Sequence, residues 1–135
     1  MVERIINGKR TSTEGFKELY PFKSNFTDIN GNQIHYIDEG KGETILALHG
    51  EPSWSYLYRK FIPTLKNYRF IAPDLIGFGK SDKIVGWKNY SFELHFRSLE
   101  NLIKKLNLLF LVILVLPDYL LQQLYHFIQL INTFL

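Results

Sequence analysis

Gly42-Glu43-Thr44-Ile45-Leu46-Ala47-Leu48-His49-Gly50-Glu51-Pro52 is the stretch on which the fold turns. From Thr44 to Leu48 no charged residue interrupts the run, and glycines bracket it at Gly42 and Gly50. A strand with one wet face alternates apolar and polar residues. A short run without alternation is a strand buried on both faces, the kind found in parallel sheets covered by helices.

Upstream, Phe26 to Ile29 and Gln33 to Asp38 read as two short strands joined at Asn30-Gly31. Asn-Gly suits a two-residue hairpin turn because both positions tolerate φ > 0. Downstream, Pro52 to Lys66 sets Trp54, Leu57, Tyr58, Phe61, Ile62 and Leu65 at a helical period, which predicts a helix capped by Ser53 and distorted at Pro63. Arg69-Phe70-Ile71-Ala72 is a second apolar strand, and Pro73 to Asp82 is a Gly-rich loop. Ser91 caps a further helix carrying Leu94, Leu99, Leu102, Ile103 and Leu106 on its apolar face. Lys104 and Lys105 oppose the dipole in its last turn. Residues 1–24 read as a polar, turn-rich arm, irregular or partly helical. Hairpin, strand, helix, strand, loop, helix is an α/β order, with parallel pairing and right-handed crossovers expected.

Composition bounds the partners. The chain has 135 residues, enough for one domain, and a net charge of +3. No basic run interleaves with aromatics, which excludes a nucleic-acid groove despite 8 Tyr, 11 Phe and 2 Trp. With no cysteine, neither a disulfide framework nor a thiolate metal site can form. The residues from Met1 to Arg10 lack the apolar segment of a secretory leader, and both features fit a cytoplasmic protein. Composition breaks near Leu106: all 16 Lys and Arg lie at or before Lys105 and all 9 Gly at or before Gly86. From Leu106 to Leu135 the sole carboxylate is Asp118.

Four segments carry a resemblance. His49-Gly50-Glu51-Pro52-Ser53-Trp54-Ser55-Tyr56-Leu57-Tyr58-Arg59-Lys60 resembles the segment after the third strand of the haloalkane dehalogenases, and Ala72 to Asp82 resembles the loop after their fourth. Tyr36 to Gly40 is similar to the approach to the third strand, and Tyr90-Ser91-Phe92-Glu93 to the start of the next family helix. The similarity runs from about Tyr20 to Leu108. It implies the N-terminal half of an α/β-hydrolase fold with an incomplete sheet: residues 1–105 as part of the core, residues 106–135 as a divergent apolar tail. The family hydrolyses carbon–halogen bonds of small halogenated organic substrates and needs no cofactor.

The resemblance also assigns roles. The residue after His-Gly offers its backbone N–H to an oxyanion hole, which places Glu51 N–H there; one such donor is worth about 10²–10³ in rate. Gly50 lets the backbone pass close to substrate. The Glu51 side chain is either a supporting group near the halide pocket or a carboxylate facing a helix dipole. Trp54 could line the pocket, but an aromatic on an apolar helical face reads as core. His49 and Pro52 are structural members of the motif, and Asp74, Gly77, Gly79 and Ser81 are turn and packing residues at the rim. Gly77-x-Gly79 is no dinucleotide fingerprint, since the third Gly is missing. His35 and His95 lack a nearby ligand set, so no metal site is expected.

The chemistry itself needs more: an Asp nucleophile on a strained strand-to-helix turn, a His base and a second acid. The next strand candidate, Leu109 to Leu116, leads to Pro117-Asp118-Tyr119, with Leu116 and Leu120 where the turn calls for glycines and Tyr119 where the family has Trp. Asp118 therefore reads as an ordinary turn or cap residue, and His126 as a chance occurrence. The chain is expected to be truncated before its nucleophile and inactive. The alternatives are an epoxide hydrolase-like or other fragment of the same fold, a tail altered by a frameshift, a non-catalytic binding fragment, or a membrane-associated one. For the last, the nine apolar residues Leu108–Leu116 fall short of the roughly 18–20 needed to span.

Overall fold

The computed structural model describes residues 10–108 and, as a strand, residues 111–116. Five strands form one sheet in the order β1-β2-β4-β3-β5. β1 (Asn25–Ile29) and β2 (Asn32–Glu39) are the expected antiparallel hairpin, with Ile29 opposite Asn32. Asn30 and Gly31 take φ of 51° and 81°, and the Asp28 carboxylate accepts from Gly31 N–H at 2.8 Å. β2 joins the rest of the sheet by antiparallel pairing to β4 (Arg69–Pro73). β4 and β5 (Leu111–Leu116) then flank β3 (Thr44–His49), both parallel to it.

β3 shows why its sequence does not alternate. Ile45 and Ala47 pack on one face with Ile37, Phe70, Tyr20, Tyr58 and Ile62. Leu46 and Leu48 pack on the other with Ile71 and with Leu99, Ile103 and Leu108. The second face is covered by α1 (Phe92–Lys105), whose N-cap Ser91 accepts from Leu94 N–H at 3.1 Å.

The first face is covered differently from the sequence expectation. In place of one helix over Pro52–Lys66 there are two 3₁₀ turns, Ser55–Tyr58 and Ile62–Thr64. Trp54, not Ser53, occupies the N-cap position, and Ser53 Oγ contacts Trp54 O at 3.4 Å without capping. Two causes are visible. Pro63 has no N–H to continue an α-helical ladder, and its ring crowds the carbonyl four residues back. At the other end Ser55 N–H is committed to the Asp74 carboxylate at 2.8 Å, and Tyr58 Oη is committed to Leu48 O. The apolar period is real, but tertiary anchors fix it in tighter turns.

Among the described residues no helix is long and apolar enough to cross a membrane.

Candidate active-site cleft

β3 and β4 end side by side, and the turns that leave them build a cleft of about 270 Å³. His49, Gly50 and Glu51 line it from β3, Leu75 and Phe78 from the Gly-rich loop, and Tyr90, Ser91, Phe92 and His95 from the start of α1. Openings beyond the carboxyl ends of strands are where open α/β sheets bind ligands.

His49 is fully buried, and both its ring nitrogens are spoken for. Leu75 N–H donates to Nε2 at 2.9 Å, so the proton resides on Nδ1, which donates to Gly50 O at 3.1 Å. Burial pulls its pKa below the ordinary value, against the Gly50 carbonyl and the Asp74 and Glu51 charges. A neutral imidazole with no free nitrogen cannot accept a proton from a nucleophile; His49 ties the two cleft walls together. Glu51 is exposed, and neither its N–H nor its carboxylate has a partner among the described residues.

Asp74 lies beneath the cleft with no exposure. Its carboxylate accepts from Ser55 N–H, Lys80 N–H and the His35 imidazole, each at 2.8 Å. Burial alone would raise its pKa; the His35 bond and charge, with the Ser55 and Lys80 bonds, outweigh burial and hold it below the usual carboxylate range. Ser81 Oγ accepts from His35 N–H and donates to Asp74 O. Asp82, also buried, accepts from Gln33 N–H at 2.7 Å and from Arg10 at 3.2 Å. The whole loop is thereby fastened to β2.

Gly77 and Gly79 have φ of 92° and 48°. A Cβ on Gly77 would meet the Tyr90 ring at 2.6 Å, and one on Gly79 would run into the Asp74 carboxylate. Trp54 does not line the cleft. Half-buried, it stacks on Tyr56 at 5.6 Å and packs against Tyr20 at 5.1 Å. Pro52 is exposed beside Glu51. Asp118 and His126 lie outside the described residues.

The sequence expectation missed Leu75, Phe78, Tyr90, Phe92 and His95 as cleft residues. For the last two the signal was present, since Phe92 and His95 are three apart on a helix and share a face. His35 was set aside for want of ligands, yet it is the imidazole that pairs with Asp74. Among the described residues no cluster of three or more His, Asp or Glu could hold a metal ion.

This sheet order, with a cleft beyond the ends of parallel β3 and β4, defines an open α/β core. A family profile described as the α/β-hydrolase fold matches residues 43–113, more than half of the chain, and the chain belongs to that family. It is 43% identical over 110 residues to a haloalkane dehalogenase of Mycobacterium marinum, covering 73% of this chain and 37% of that protein. It is 42% identical over 104 residues to a cis-3-alkyl-4-alkyloxetan-2-one decarboxylase of Shewanella oneidensis, covering 75% and 32%. Among solved structures, the haloalkane dehalogenase DpaA of Paraglaciecola agarilytica superimposes with a TM-score of 0.71 at 43% identity, covering 77% of this chain and 38% of that one. The resemblance to haloalkane dehalogenases thus extends well beyond the quoted motifs. The chain spans about a third of the length of these relatives.

Proposed function

We propose that this chain is the N-terminal part of a haloalkane dehalogenase-like hydrolase core. It supplies one wall of a substrate cleft and one oxyanion donor, and it does not carry out the reaction alone. The observation that carries this reading is Glu51: its N–H has no partner among the described residues, at the ends of two parallel strands and beside a neutral, immobilised His49. A small organic substrate with a halogen or a related leaving group fits a cleft walled by Leu75, Phe78, Tyr90 and Phe92. Residues 106–135 are a divergent apolar tail in whose sequence no nucleophile, base or second acid is recognisable. The decarboxylase similarity favours a division of labour. This portion provides scaffold and oxyanion donor, and the segments absent from the match select the chemistry.

A graft tests the proposal. Residues 1–108 replace the corresponding segment of the Mycobacterium marinum relative, and halide release from a short bromoalkane is measured for the chimera and for the 135-residue chain. The chimera is expected to release halide and the chain to release none. A folded chimera without activity overturns the assignment of the cleft, and halide release by the chain itself overturns its inactivity.

A further inference from the structure

The tip of the β1–β2 hairpin carries a reactive pair of residues that the cleft does not use. Glycine after asparagine lets the next backbone nitrogen approach the side-chain amide, because no Cβ stands in the way. Asparagine amides are among the thermolabile groups of proteins. Asn30 is exposed at the tip with φ of 51°, and Gly31 follows it at 81°. Two contacts hold this turn closed. Gly31 N–H donates to the Asp28 carboxylate at 2.8 Å, and Asn30 Oδ1 accepts from Asn101 Nδ2 on α1 at 3.2 Å. Lys105 Nζ, on the same helix, donates to Asp28 O at 2.9 Å, so the tip is fastened to the second half of α1.

We propose that Asn30 is a site of spontaneous deamidation whose rate the fold governs through Asp28 and Asn101. Gly31 N attacks Asn30 Cγ and closes a succinimide ring. The Cγ–Nδ2 bond breaks, and the side-chain nitrogen departs as ammonia with the proton that Gly31 N gives up. Water then opens the ring at either carbonyl, leaving aspartate or isoaspartate at position 30; nothing is oxidised or reduced. Every part of the closure works against the turn. The attacking nitrogen has to shed its proton, and a carboxylate 2.8 Å away opposes the negative charge that develops there. Cγ has to swing toward Gly31 while Asn101 holds its oxygen toward α1. The peptide between them has to rotate while Ile29 stays paired with Asn32. Reaction therefore proceeds through local openings of the hairpin tip, which cost less than global unfolding. Isoaspartate adds a main-chain carbon to a two-residue turn, so that product loosens the seam between the hairpin and α1.

The test incubates the full chain in mildly alkaline buffer, native and in urea, and follows the tryptic segment 24–41 by mass spectrometry, with fragment ions locating the change. The native chain is expected to gain the mass of an amide-to-acid conversion at Asn30, more slowly than in urea. Asn7-Gly8, the other Asn-Gly pair of the sequence, supplies the intrinsic rate in urea. Asp28→Ala is expected to speed native conversion by about threefold or more, as loss of a hydrogen bond to a charged group implies, with no change in urea. Asp28→Asn keeps an acceptor for Gly31 N–H and removes the charge, so its native rate should fall between wild type and Asp28→Ala. Asn101→Ala is expected to accelerate conversion from the far side of the contact. No conversion at Asn30 in the native chain over a period that completes it in urea overturns the site. Native rates of Asp28→Ala and Asn101→Ala equal to wild type, or accelerations matched in urea, overturn control by the fold. A wild-type rate in Asp28→Asn overturns the part given to the charge.

Discussion

Asp74 illustrates what a single residue contributes. One buried carboxylate fixes the first turn of the Ser55 segment, the loop at Lys80 and the hairpin through His35. Removing one member of a buried, hydrogen-bonded pair leaves the other uncompensated, so Asp74→Ala is expected to cost about 3–5 kcal/mol in urea unfolding. The pH dependence has a definite sign. Because the folded state holds Asp74 below its ordinary pKa, the ionised group stabilises the fold above the unfolded pKa of about 3.9, and that contribution is lost as pH falls through the folded value. Stability of the wild type relative to Asp74→Asn should therefore shrink as acid is added below about pH 4. A constant difference down through that range would contradict the role of the charge. Asp74 was legible in the sequence as a loop residue, but its burial was not. Its partner His35 lies 39 positions earlier, and no local pattern links the two.

Elements were legible where the physics is local. The Asn30-Gly31 hairpin, the unbroken β3 run and the Ser91 cap all depend on residues within a few positions of one another, and each appears as read. The helix expected over Pro52–Lys66 does not, because periodicity reports which side chains face the core and says less about the backbone that presents them. Anchors at Asp74 and Leu48, together with Pro63, chose 3₁₀ turns. The Gly-rich loop permits a direct test. Gly77→Ala demands φ near 92° from an L-residue and drives a methyl into the Tyr90 ring, so it is expected to destabilise by about 1–3 kcal/mol. Because Tyr90 lines the cleft and accepts from Ile84 N–H, near-ultraviolet circular dichroism should change as well. Gly15→Ala is the control: nothing lies within 4 Å of its added methyl, and its stability should be unchanged or slightly higher. Equal effects of the two substitutions would remove the steric account.

At the scale of the whole molecule, the strand that decides the fold depends on one that comes much later. β3 pairs with β4 at three registered positions, Thr44 to Leu46, and with β5 at six, Thr44 to His49. Ala47, Leu48 and His49, each almost wholly buried, thus take their registered strand partner from β5. These are the residues that lead into Gly50 and Glu51, so the geometry of the cleft rests on pairing with Leu114 to Leu116. The sequence made β5 visible as an apolar run but gave no register, since every position in Leu-Val-Ile-Leu-Val-Leu is apolar and a slip changes no pattern. Ending the chain at Leu108 would make β3 the edge of the sheet and strip Ala47–His49 of their strand partner, at about 0.5–1.5 kcal/mol for each hydrogen bond lost. Over the whole of β5 that amounts to a large part of the stability of a small domain. A chain of residues 1–108 is therefore expected to lose its cooperative thermal transition and to bind a hydrophobic dye, while residues 1–135 unfold cooperatively. Fusing a relative's own fifth strand after Leu108 should restore the transition. If the shortened chain melts at the same midpoint as the longer one, β5 does not hold the cleft, and the turn at Gly50 is organised by His49 and Asp74 alone.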